Sequence, residues 1–176
     1  SDPPNKSDRA EGVEYCSSPA KHPRTKFGLK DATTDEQQIR EWWHRWPNAN
    51  IGLPTGAVSF VVIDIDPRHG GDESWQGLVC QFGGIEKVAN ARTGSGGEHL
   101  LFAHPGVKVK NNQSGKLGEG VDVRGDGGYI VAAPSRHVSG GEYAWLTPPN
   151  GTLPDLPDWL REMMAREPEL RPISSG

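Results

Sequence analysis

Asp64 and Asp66 are the residues whose type and spacing first invite chemistry. They close the stretch Phe60-Val61-Val62-Ile63-Asp64-Ile65-Asp66-Pro67. The apolar, largely β-branched run before them predicts a buried strand. Side chains on a strand alternate, so the two carboxylates share one face, with Cα atoms about 6–7 Å apart. That reach suits one divalent cation or two neighbouring ones. Carboxylates so close to a core are costly unless a cation neutralises them. The same residues also read as a strand running into an aspartate-rich turn, closed by Pro67 and Gly70-Gly71. Taken alone, they leave both readings open.

Three further segments carry polar chemistry. Arg92-Thr93-Gly94-Ser95-Gly96-Gly97-Glu98-His99 is a glycine-rich turn between two strands. Such a turn can offer backbone N–H groups to a phosphate, and Arg92 and His99 flank it with side chains that can pair with phosphate oxygens. Gly120-Val121-Asp122-Val123-Arg124 sets a third carboxylate in a short apolar strand, with Arg124 two positions on and on the same face. Gly125-Asp126-Gly127-Gly128 reads as a turn, with Asp126 a turn residue. Each segment is ordinary by itself. Together they supply Asp, Asp, His and Asp at strand ends, two arginines and a glycine turn. That is equipment for metal-assisted phosphoryl or nucleotidyl transfer, in which cations activate a hydroxyl and basic groups hold a triphosphate in line.

The elements that must position these residues follow from periodicity. Thr34 opens a helix, with Gln37 at the capping-box spacing, and Pro47 stops it. Ile39, Trp42, Trp43 and Trp46 recur at helical spacing and read as a packed face. A tight turn at Pro54–Gly56 precedes the Asp64 strand. Asp72 caps a second helix carrying Trp75, Leu78, Val79 and Phe82, and Gly83-Gly84 ends it. The rest is strand-rich: Val88–Arg92, His99–Ala103, Gly120–Val123, Tyr129–Ala133 and Gly140–Leu146. Asn111–Gly118 reads as a mobile polar loop and Pro148–Pro154 as a connector. A last helix runs from Asp158 to Arg166, with Trp159, Leu160 and Met163 as its apolar side. Val13–Cys16 reads as a short strand and Ser17–Lys30 as a basic loop. The order predicts an α+β fold with a mixed or antiparallel sheet. Residues 1–12 read as a disordered lead-in or cloning remnant, 13–166 as one catalytic domain and 167–176 as a tail or linker start.

The chain has 176 residues, with 23 Gly and 15 Pro, enough for one sizeable core rich in turns. No apolar stretch approaches a membrane span and no signal segment opens the chain. Cys16 and Cys80 lie far apart and neither has metal-ligand spacing, so no zinc site is expected and a reducing cytoplasm fits. A net charge of −4 argues against wrapping duplex DNA by charge alone. Local basic groups exist at Lys21, Arg24, Lys26 and Lys30 and at Lys108, Lys110 and Lys116, and these are the candidate contacts to a nucleic-acid backbone.

The order Asp-x-Asp, Ser-Gly-Gly-x-His and Val-Asp-Val-Arg-Gly-Asp-Gly-Gly-Tyr resembles the bifunctional DNA primase/polymerase (prim-pol) domain of the archaeo-eukaryotic primase superfamily. Lys21-x-Pro23, Gly28-Leu29-Lys30-Asp31-Ala32-Thr33, Trp42-Trp43, Pro47-x-Ala49-Asn50-Ile51-Gly52 and Ala133-Pro134-Ser135 also look like family sequence, and the similarity runs from about Val13 to Leu160. The resemblance implies a sheet flanked by helices, with the active site in a cleft at strand ends. It makes Asp64, Asp66 and Asp122 carboxylates for Mg²⁺ or Mn²⁺. It makes His99 the contact to the incoming triphosphate, with Arg92, Ser95, Gly96, Gly97 and Arg124 as further nucleotide-binding candidates. The wider superfamily often has Ser-x-His in the second motif; Gly97 stands at that serine, leaving Ser95 or the turn backbone to substitute. The family's opening helix and strand are reduced here to Val13–Cys16, and the cysteines of the zinc insertion found in some relatives are missing.

The implied function is primer synthesis and template-directed extension in a plasmid, phage or mobile-element replication protein. The implied partners are single-stranded DNA, NTP or dNTP, and a helicase module following the domain in the full-length protein; the domain itself is expected to be a monomer. Two other readings share part of the pattern. A metal-dependent glycosyltransferase also uses Asp-x-Asp, but not the histidine-bearing turn or third carboxylate motif. A catalytically inactive nucleotide- or DNA-binding replication module would not need all four of Asp64, Asp66, His99 and Asp122.

Overall fold

The computed structural model describes residues 20–85, 88–111 and 115–165. The expected strand at Val13–Cys16 and the flanking tails lie outside them. Within them the chain is α+β, with three α-helices and two antiparallel sheets. The larger sheet has the order β5-β2-β4-β3-β8-β7, from Val121–Arg124, Phe60–Ile65, Glu98–Ala103, Ala89–Arg92, Glu142–Thr147 and Ser135–Arg136 respectively. The smaller pairs β1 (Ile51–Pro54) with β6 (Tyr129–Ala132). The two-residue β7 and the strand β1 escape sequence reading: β7 is too short for a period, and β1 contains Gly52 and ends on Pro54.

The apolar run of the Asp64 strand puts β2 inside the sheet, between β4 and β5. Alternation then divides its side chains. Val61, Ile63 and Ile65 join Leu100, Phe102, Val121 and Val123 in the main core, beneath α2 (Gly71–Phe82) and α3 (Asp158–Ala165). Val62 faces the other way and meets Leu101, Ala89 and Ile130, so the β1–β6 ribbon covers part of that second face. Asp64 lies two residues beyond Val62, on the same face.

Several local expectations are corrected. Helix α1 is Glu36–Arg45, and its N-cap is Asp35 rather than Thr34: the Asp35 carboxylate accepts the Gln38 N–H at 2.9 Å. Thr33 Oγ1 instead accepts the Asp35 N–H, so the chain is still turning at Thr34. Helix α2 is capped by Gly70 in a left-handed conformation; Asp72 falls in its first turn, where a carboxylate complements the helix dipole without capping. The α1 tryptophans are not a buried face, since α1 buries none of its residues. Pro54 belongs to β1, and the turn runs later, with Gly56 N–H donating to the Phe60 carbonyl. In the expected polar loop 111–118, residues 112–114 lie outside the description, but Leu117 is a core residue and Lys116 Nζ donates to the Met164 carbonyl at 2.8 Å. On α3 the buried residues are Leu160 and Met164, with Trp159 and Met163 partly covered.

Asp126 acts within the turns. Its carboxylate accepts N–H groups of Ala57 at 2.7 Å and Val109 at 2.9 Å, tying the β1–β2 turn to the segment before β5. No helix among the described residues is long and apolar enough to cross a membrane.

Ile63, fully buried on the helix-facing side of β2, carries the test of this arrangement. Ile63→Ala should cost about 2–5 kcal/mol of unfolding free energy by chemical denaturation. Val58→Ala, at a site 81% exposed in the β1–β2 turn, should change it by less than about 0.5 kcal/mol.

Candidate active site

Strand register builds the site. Asp64 stands directly opposite His99 on β4 and directly opposite Asp122 on β5. Residues opposite each other in an antiparallel ladder point to the same face, so the three form one row across three strands. Arg124, two residues beyond Asp122, joins them. Its guanidinium donates to Asp64 Oδ2 through Nη2 at 2.9 Å and Nε at 3.2 Å, and Nη2 lies 3.4 Å from Asp122 Oδ2. His99 Nε2 lies 3.4 Å from Asp64 Oδ1. His99 is 5% exposed, and its Nδ1 is buried without a partner among the described residues.

Asp64 therefore sits in competing fields. Burial alone would raise its carboxyl, but the His99 hydrogen bond and charge and the Arg124 guanidinium outweigh burial and hold it at about 2.

Asp66 reaches the same cleft by another route. It follows the last residue of β2 and caps a one-turn 3₁₀ helix, Pro67–His69. The Arg68 fork closes back on its carboxylate at 2.9 and 2.7 Å, and His69 Nδ1 lies at 3.1 Å. These bonds, Arg68 first, hold the Asp66 carboxyl at about 2 against partial burial. Its backbone is stitched to the start of β5: Asp66 N–H donates to the Gly120 carbonyl at 2.7 Å, and Gly71 N–H to the Asp66 carbonyl at 3.0 Å. A Cβ on Gly71 would fall 2.4 Å from the Gly120 oxygen, so only glycine permits this approach. Asp64, Asp66, Asp122 and Arg124 line one open cleft of about 650 Å³. As the side chains stand, no three His, Cys, Asp or Glu among the described residues are grouped as around one metal ion. Arg124 lies between Asp64 and Asp122, while Arg68 and His69 hold Asp66.

The glycine turn joins β3 to β4 and is closed by Thr93, which sequence reasoning passed over. Thr93 N–H donates to the Gly97 carbonyl at 2.8 Å, and its hydroxyl accepts the Gly97 N–H at 2.9 Å and lies 3.2 Å from the Ser95 hydroxyl. Gly96 has φ +91, a left-handed position suited to glycine. A Cβ on Gly97 would fall 2.2 Å from the Ile65 carbonyl oxygen, so this backbone excludes the serine common in the wider superfamily. Arg92 is not brought to the row. It lies in register with Glu98, on the face of the sheet opposite His99.

Other residues arrive only through the fold. The Tyr143 ring packs 6.3 Å from His99 and 6.5 Å from His137. Burial, and then the Asp64 charge, push the Tyr143 hydroxyl up. Burial, and then Lys21 and Arg68, push His137 down against the pull of Asp66. The charges of Lys21 and Arg68 thus favour the neutral form of His137. Arg68 and His69 were legible in principle, since they follow Asp66 at the spacing of a local cap. Tyr143 and His137 carry no local signal.

The family model for the bifunctional DNA primase/polymerase N-terminal domain matches residues 10–159. The chain belongs to that family. No curated protein matches it.

Two outcomes follow from this geometry. Gly97→Ser should destabilise the fold by about 1–3 kcal/mol in denaturant titration, because the new Cβ must displace the Ile65 carbonyl. The second concerns acid. The Asp64 carboxyl titrates lower in the fold than its ordinary value of 3.8, so it stabilises the fold above about pH 4 and loses that contribution as pH falls toward 2. The displacement corresponds to about 2 kcal/mol. Metal-free Asp64→Asn should therefore show a flatter fall in unfolding free energy between about pH 4 and pH 2 than the unsubstituted chain.

Proposed function

We propose that this chain is the primase-polymerase domain of a plasmid, phage or mobile-element replication protein, joining nucleotides on a single-stranded DNA template. The observation that carries this reading is the row His99–Asp64–Asp122 in a chain of the primase/polymerase family. His99 Nε2 faces Asp64, which ties the imidazole to the carboxylate row.

The donor set fits a hard divalent cation, Mg²⁺ or Mn²⁺. Asp64, Asp66 and Asp122 are carboxylates on one cleft, and their present partners are side-chain cations that a metal ion can replace. Such ions, when bound, activate the attacking 3′-hydroxyl and neutralise the leaving pyrophosphate. The protein's own groups do the rest. Asp64, with its depressed carboxyl, stays ionised throughout the working pH range. Arg124 neutralises the Asp64–Asp122 pair and would turn to a phosphate where a cation takes its place. His99, Arg68 and His137 supply donors for a triphosphate. Rigid backbone around Gly71, Gly97 and Gly120 keeps these groups in line. In the full-length protein a helicase module is the expected partner, and the bacterial, archaeal or phage-infected cytoplasm the setting.

Primer synthesis on an unprimed single strand, and extension of a primed one, test the reading with Mg²⁺ or Mn²⁺ and each nucleotide type. Asp64→Ala should abolish both activities while circular dichroism shows the fold retained; wild-type extension by this variant would remove Asp64 from the reaction. His99→Ala should lower nucleotide use by roughly 10- to 150-fold, the loss of a hydrogen bond to a charged group worth about 1.5–3 kcal/mol.

A further inference from the structure

Helix α1 carries an aromatic face that the core does not use. Trp42, Trp43 and Trp46 remain half-buried, and α1 buries none of its residues. All three line a cavity of about 160 Å³ between α1, the segment 20–32 and the β1–β6 ribbon, together with Lys21, Asn50 and Tyr129. The far wall is fastened by polar bonds. Asn50 Nδ2 donates to the Ala20 carbonyl at 3.1 Å and the Arg136 carbonyl at 2.8 Å, and the Tyr129 hydroxyl donates to the Lys21 carbonyl at 2.8 Å. This wall leads to the catalytic row. Lys21 lines the cavity, and its charge also bears on His137, beside Arg68 and Asp66.

We propose that this groove seats an unpaired base of the single-stranded template, stacked on the α1 tryptophans, with Lys21 beside the strand's backbone. The proposal rests on the primase-polymerase reading and names where that partner is gripped. Indole faces stack on any base, and stacking contributes about 1–3 kcal/mol per base. A cavity of this size admits a single ring system, and a duplex keeps its bases stacked inside and out of reach. The Lys21 and Arg68 charges complement phosphate, which an acidic chain can hold only locally.

The test compares a fluorescein-labelled oligothymidylate with an abasic strand of equal length, by anisotropy at one salt concentration without nucleotide or divalent metal. Phosphate contacts are common to both strands; bases belong to one. The unsubstituted chain should bind the base-bearing strand about tenfold more tightly. The difference should vanish in Trp42→Ala and return in part in Trp42→Phe. Nucleotide binding in the presence of Mn²⁺, read by thermal shift, should be unchanged in both variants. Equal affinity for the two strands overturns the proposal without recourse to any variant, and so does a base preference that survives Trp42→Ala and Trp43→Ala. Base-selective binding by a chain that extends no primer would sink the activity reading and keep this one.

Discussion

Everything near the cleft depends on a carboxylate placed where water is scarce. Asp64 is on an inner strand, and burial by itself would favour its neutral form. It is kept ionised by a histidine from β4 and an arginine from β5. That requires both neighbouring strands in register. A slip of one residue in either would turn His99, or Asp122 and Arg124, to the helix-covered face. The register is enforced from that opposite face, where Ile63, Leu100, Phe102 and Val123 must all be buried together. The site is therefore held in place by apolar packing it never touches.

Close backbone approach is the second constraint. Gly71 with Gly120, and Gly97 with Ile65, bring main chains nearer than any Cβ allows. These contacts fasten the Asp66 turn to β5 and the glycine turn to the end of β2. Glycine here fixes positions and does not loosen them. Two otherwise independent loops become one wall, with Asp66 gripped by Arg68 on one side and Thr93 closing the turn on the other.

The paired arginines give the site a particular electrostatic character. Arg124 spans Asp64 and Asp122, and Arg68 forks onto Asp66. Each places a positive charge against carboxylates that would otherwise repel one another. The wall beside the site is assembled from segments far apart in sequence, with Asn50 fastening Ala20 and Tyr129 fastening Lys21.

Sequence by itself determined the apolar β2 run, the order of the carboxylate and histidine motifs and the α+β class, because these rest on local periodicity and residue type; the helix faces came out only in part, since Phe82 of α2 is exposed and Met164 of α3 is buried. Asp126 as a turn residue was legible for the same reason. Helix caps were missed by a few residues, since Thr34, Asp35 and Asp72 are all good capping types and only the hydrogen bonds choose among them. The α1 stripe had the pattern of a packed face, yet amphipathic spacing says only that the face is apolar, and not what covers it. Tertiary structure alone decided that Arg92 faces away while Arg124 bridges the carboxylates, that the Tyr143 ring packs against both His99 and His137, and that Gly97 cannot be serine. Those facts depend on strand register and on backbone approaches between distant segments, and neither leaves a periodic trace along the chain.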